Sequence, residues 1–200
     1  MPTRRSILAA AGAALVLPSF ARAQENQLTV DEVLYDPDAP ILANPDGDVT
    51  VIEFFDYQCP FCWEAHPMLK SVAEADQGVR LVLKDWPVFG APSVRAAQLG
   101  LGSVELDEYR AVNETLMNLE GRLSIERVEE AVTQHVPAER AMASYRDDRS
   151  RWDGLMQRNQ MQAAAFGFRG TPSFVVGTTL FGGAIDRETL EAAIAATRRG

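Results

Sequence analysis

The stretch from Val49 to Cys62 constrains the fold of this chain more than any other. Its first seven residues, Val49 to Phe55, are mostly β-branched or aromatic and read as a strand. Apolar side chains fall on both faces, Val49, Val51 and Phe55 on one and Ile52 and Phe54 on the other. A strand of that kind lies inside a sheet covered on both sides. Glu53 breaks the pattern. A carboxylate there must be paired, hydrated or held at a raised pKa, unless the strand lies at an edge and the side chain reaches solvent.

Three residues beyond the strand, Cys59-Pro60-Phe61-Cys62 opens a helix, because Phe61, Ala65, Met68, Leu69, Val72 and Ala73 recur at intervals of three and four. Cys59 then occupies the N-cap and Pro60 the first helical position, where a missing N–H costs nothing. Unpaired N–H groups and the positive end of the helix dipole favour thiolate at that place, with pKa values of roughly 3.5 to 7.5. Cys62 falls seven residues before Leu69 and turns toward the buried face, while Cys59 stays at the open end. Cys59 is therefore the candidate nucleophile and Cys62 the resolving thiol. The chain has no other cysteine. A disulfide closing so short a loop constrains the unfolded chain little, so a redox role fits the pair better than a structural one.

Glu53-Phe54-Phe55 ahead of the cysteines, Pro67 five residues after the second one, and Gly170-Thr171-Pro172-Ser173-Phe174-Val175 far downstream resemble the DsbA-like thiol:disulfide oxidoreductases of the thioredoxin superfamily. The resemblance runs from about Asp36 to the end. It implies a thioredoxin-like α/β fold, β-α-β then β-β-α, over residues 49–200, interrupted by an α-helical subdomain at about 92–166 and preceded by an extension at 24–48. It also implies a cis Thr171–Pro172 bond facing the cysteines, with Thr171, Pro172, Pro60 and Phe61 meeting the substrate backbone. Glu53 becomes a proton acceptor or relay for Cys62, and no cofactor or metal is required. Thr171 before Pro172 is closer to the isomerase and copper-resistance branches than to the typical oxidase, which carries Val there. The chemistry is disulfide exchange, most simply as an oxidase, with a reductase or isomerase as the alternative.

His66 lies two turns beyond Cys59 on roughly the same face, where it either tunes the thiolate or packs as a structural histidine. Met117, Met142, Met156 and Met161, with the dithiol, raise the alternative of a periplasmic Cu(I)-binding or metal-handling protein. They lack a compact ligand spacing, and no adjacent Cys or His completes a closed site around the two thiols.

At the N-terminus, Arg4 and Arg5, the apolar run Ile7 to Leu17 and the exit Ala21-Arg22-Ala23 follow the pattern of a cleaved secretory signal, residues 1–23, with Gln24 the first mature residue. The apolar run is shorter than the 20 or so residues that span a bilayer. The paired arginines resemble a twin-arginine signal, and the general secretory route is the alternative. Either route places the protein in the periplasm, with exported cysteine-containing proteins as substrates and a membrane protein as redox partner. Cleavage would take three arginines from the 19 basic residues and leave 16 against 28 acidic ones, a net charge of −12. Such a chain repels nucleic acid and anionic membranes. It is expected to act as a monomer.

Along the rest of the chain, the patterning predicts a short helix at Val30 to Leu34, an edge strand at Ile41-Leu42 and a strand at Val79 to Lys84. Helices follow at Val94 to Leu101, Leu106 to Leu119, Ile125 to His135, Ala138 to Arg146 and Trp152 to Phe166. Ser173 to Val176 and a strand opening at Leu180-Phe181 come next, and then a final helix capped by Asp186.

Overall fold

A computed structural model of the protein describes residues 28–200, so the expected signal sequence and cleavage point lie outside the described residues. The chain runs through α1 (Val30–Leu34), β1 (Ile41–Ala43), β2 (Val49–Phe55), α2 (Pro60–Ala75) and β3 (Val79–Asp85). Helices α3 (Ala91–Gly102), α4 (Tyr109–Met117), α5 (Ile125–Thr133), α6 (Ala138–Asp147) and α7 (Arg149–Ala165) follow. The chain closes with β4 (Ser173–Val176), β5 (Thr179–Gly182) and α8 (Arg187–Arg199). This is the thioredoxin-like α/β fold, with helices α3 to α7 between β3 and β4.

The five strands form one sheet in the order β1-β3-β2-β4-β5. β2 pairs parallel with β3 and antiparallel with β4, so it is central and every one of its residues is buried. The edge-strand alternative for Glu53 therefore fails. β1 pairs antiparallel with β3 at one edge of the sheet, where an edge strand was expected.

The alternation of β2 sorts its side chains onto two faces. Phe54 points to one, where its ring meets Trp86, Phe166 and Phe168 edge-on. α7 covers that face: Gln162 accepts from Lys84 at 2.6 Å and Gln160 from the Trp86 indole at 2.7 Å. Glu53 points to the other face, under α2 and its neighbour α8. Of the stripe read on α2, Ala65, Leu69, Val72 and Ala73 are buried, whereas Phe61 at the helix start is exposed and Met68 is half-buried. Burial of a side chain such as Leu69 or Val72 contributes about 1.5–3 kcal/mol.

Two departures from the sequence reading have local causes. The helix expected from Leu106 starts only at Tyr109, because Val104–Leu106 forms a 3-10 turn that ends at Asp107 in the left-handed region, φ 58°. The charged run Arg146 to Arg149, read as a break, is almost wholly helical, since α6 ends at Asp147 and α7 begins at Arg149. Arg149 pairs with Asp153 one turn on, and Arg151 reaches Asp38 and Glu105. Arg80 and Lys84 in β3 are buried although charged. Arg80 Nη1 donates to the Leu34 carbonyl at 2.7 Å, so α1 and α7 supply the cover on that side.

Candidate active site

Cys59 is the N-cap of α2, with extended backbone at φ −85° and ψ 116°, and Pro60 follows inside the helix as the sequence requires. The Cys59 carbonyl accepts the Cys62 and Trp63 N–H groups at 3.0 and 3.2 Å, which closes the first helical turn. Both cysteines are free thiols. The expectation that Cys59 stands open to solvent is not met: it is 1% exposed and Cys62 is 0%. The cause is tertiary. The segment before β4 lies over the sulfur, and Cys59 Sγ donates to the Thr171 carbonyl at 3.1 Å. The Thr171–Pro172 bond is cis, as the resemblance implied, and faces the pair. Pro60 and Phe61 are exposed at the helix start, Phe61 by 58%.

The two sulfurs differ in acidity rather than in access. Cys59 is held at about 6, chiefly because the Cys62 thiol donates to its sulfur, with further help from Thr171 and the Cys62 and Phe61 N–H groups against the cost of burial. The Thr171 hydroxyl is buried with no other hydrogen-bond partner, so it is free to donate to Cys59. A Cys59 thiol donates to the Thr171 carbonyl, whereas a thiolate can only accept. Cys62 is pushed far above the ordinary thiol range by burial, by its bond to Cys59 and by Glu53.

Glu53 is 0% exposed and neither carboxyl oxygen has a hydrogen-bond partner. Burial, and then the Cys59 charge, raise it to about 8. It is protonated at neutral pH, and its strand places it beside the pair.

His66 faces α4. It is 2% exposed, and its Nε2 lies 3.4 Å from Glu114 on α4, which also pairs with Lys70. Burial lowers its pKa, so it is a neutral group between α2 and α4. Met117 and Met142 are buried in the helical core, while Met161 is 53% exposed.

Four buried residues on or just beyond the central strands were not singled out from sequence. Asp56 accepts three backbone N–H groups. Tyr57 is buried, its hydroxyl accepting from Asn113 at 3.0 Å. Asp85, at the end of β3 in register with Phe55, is buried with both carboxyl oxygens unpartnered and is raised to about 8 by burial. Lys84 is buried on the opposite face. Lys84 carried the same kind of signal as Glu53, a charge in an apolar strand, whereas Asp85 fell just past the expected end of that strand.

The sequence profile described as thioredoxin matches residues 36–196. The chain belongs to the thioredoxin family. A thioredoxin-like oxidoreductase from Silicibacter pomeroyi DSS-3 is 33% identical, with 86% of this chain and 99% of that one covered and a TM-score of 0.82. The catalytic domain of Proteus mirabilis ScsC is 25% identical over 84% and 94% of the two chains, at TM-score 0.76. The thiol-disulfide exchange protein alpha-DsbA2 from Wolbachia pipientis shares the fold at 21% identity, covering 83% and 90%, at TM-score 0.76. No curated protein matches. In this thioredoxin-family setting the Cys59–Cys62 pair makes the protein a thiol–disulfide oxidoreductase.

Proposed function

We propose that this thioredoxin-family protein is a periplasmic oxidase that passes its Cys59–Cys62 disulfide to exported proteins and is reoxidised by a membrane partner. A substrate thiolate attacks Cys59 Sγ, the S–S bond breaks toward Cys62, and the protonated Glu53 supplies the proton that the departing Cys62 sulfur takes up. A second substrate thiolate then attacks the substrate sulfur of the mixed disulfide. The substrate leaves oxidised, and Cys59 leaves as a thiolate. In reverse, ionised Glu53 accepts the Cys62 proton, and Cys62 attacks the mixed disulfide to release a substrate unoxidised. Thr171, Pro172, Pro60 and Phe61 border the sulfur and offer the contact surface for the substrate backbone.

The observation that carries the direction is the set of donors on Cys59, from Cys62, Thr171 and the first N–H groups of α2. They stabilise a thiolate, which exists only in the reduced form. With Cys59 at about 6, the extra stability at pH 7 is roughly 1.4 kcal/mol, or about 30 mV for this two-electron couple. Neutral Glu53 places no opposing charge beside the thiolate until the pH passes about 8. The export reading is supported by the N-terminal sequence pattern alone. Equilibration with reduced and oxidised glutathione tests the direction. The expected potential lies above thioredoxin's roughly −270 mV, and a value at or below it means a reductase.

A further inference from the structure

Asp56 links the end of β2 to the cysteines and is 1% exposed. Its Oδ1 accepts the Gln58 N–H at 2.7 Å, and its carbonyl accepts the Cys59 N–H at 3.0 Å. An Asx turn and a backbone turn on the same residue thus deliver the chain into the first turn of α2. The other oxygen, Oδ2, accepts the Val88 and Phe89 N–H groups at 2.6 and 3.0 Å, from the loop after β3. Gln58 extends the clamp, since its Nε2 donates to the Phe89 carbonyl at 3.2 Å and its Oε1 accepts the Leu123 N–H at 2.9 Å. The cysteine turn is therefore fastened to two separate loops, one of them in the helical region.

We infer that Asp56 is the positioning residue of the redox pair: its carboxylate locks the turn 56–59 against the Val88-Phe89 loop and so holds the Cys59 sulfur on the first N–H groups of α2. The carboxylate is fixed by backbone donors and touches neither sulfur, so it acts through the geometry of the turn. The ionisable groups around it are Glu53 and Tyr57 from its own segment, Cys59 and Cys62 from α2, and Asp85 from β3, whose pKa its charge helps to raise. His66 faces Glu114 instead.

The inference rests on the exchange chemistry proposed above, and its test has a decisive sign. A negative charge near Cys59 opposes the thiolate, so a residue acting only by charge would, when removed, lower the Cys59 midpoint. A positioning residue does the opposite. Asp56→Glu keeps the charge and misplaces the acceptors; Asp56→Ala removes both. In the full-length protein the thiolate absorbance midpoint of Cys59 is expected to rise in both variants, by about one pH unit in Asp56→Glu. The glutathione equilibrium should shift several-fold toward the disulfide form at pH 7. A midpoint that falls in Asp56→Ala and stays put in Asp56→Glu assigns Asp56 a charge effect and overturns the inference. A midpoint unmoved in either variant, with only a lower melting temperature, also overturns it by making Asp56 a structural residue. If Asp56→Ala does not fold, Asp56→Glu alone decides, by whether its midpoint rises. The wild-type potential tests the oxidase reading separately, because the shift is measured relative to wild type whatever that potential is.

Discussion

The two faces of the central sheet treat buried charge in opposite ways. On the α7 face, Lys84 is inaccessible but engaged: its ammonium donates to Gln162 and stands 5.7 Å from the Phe54 ring centroid, and burial lowers it only to about 8. On the α2 face, Glu53 is equally buried and engages nothing, yet it neighbours the cysteines. A buried charge with a partner contributes to a unique packing, whereas one without a partner costs stability and persists where chemistry uses it. The contrast separates the face that holds the fold from the face that performs the exchange.

The comparison predicts a graded set of effects. Replacing Cys59 by Ser removes the attacked sulfur, so oxidation of a reduced peptide is expected to fall by at least about a thousandfold, to the uncatalysed level. Residual exchange through Cys62 alone, measured by quenched-flow labelling, would dissolve the assignment of roles.

Glu53→Gln keeps the shape and removes the proposed proton transfer. Release of the mixed disulfide is expected to slow by about 100-fold, the low end of what a positioned acid–base group supplies. Its effect on stability has the opposite sign. Glu53 is raised from 4.5 to about 8 in the folded protein, so its stabilising contribution is complete below pH 4.5 and is lost as the pH rises to 8. Across that window wild-type stability falls by up to about 1.4 kcal/mol per pH unit from this group. Glu53→Gln should therefore gain on wild type as the pH rises, and parallel denaturation midpoints from pH 5 to pH 8 would show Glu53 to be solvated instead.

Lys84→Leu tests the other face. It strands the Gln162 oxygen, so urea denaturation should show a loss of about 1–3 kcal/mol, with glutathione exchange within twofold of wild type. A large loss of exchange at full stability would mean that the two faces are coupled. The smallest effect belongs to a residue far from both. Asp186 caps α8 by accepting the Thr189 N–H at 2.8 Å, and Asp186→Ala should cost about 1 kcal/mol in thermal unfolding with no change in Cys59 acidity.

Much of this was legible because it is local. Strand β2, the N-cap position of Cys59 and the Asp186 cap depend on residues within one helical turn or one strand, and the structure has each where its spacing put it. Glu53 was conspicuous for the same reason, as a single charge in an apolar run. Asp56 was not, because an aspartate between a strand and a helix is ordinary until Val88 and Phe89, more than thirty residues on, turn their N–H groups to it. His66 stayed open between tuning and packing because helical spacing says which residues share a face and nothing about what that face meets; α4 meets it.

The sequence by itself determined that a thiol would stand at a helix start after a buried strand, with its partner one turn inside. Backbone sterics and side-chain periodicity suffice for that, since neither looks beyond a few residues. Only the tertiary structure decided that Cys59 is covered, that its hydrogen-bond partner is Thr171, 112 residues away, and that Glu53 is left unpaired. Burial and hydrogen-bond partnership belong to surfaces that exist only once distant segments have packed together, and those two quantities set the proton affinities on which the exchange depends.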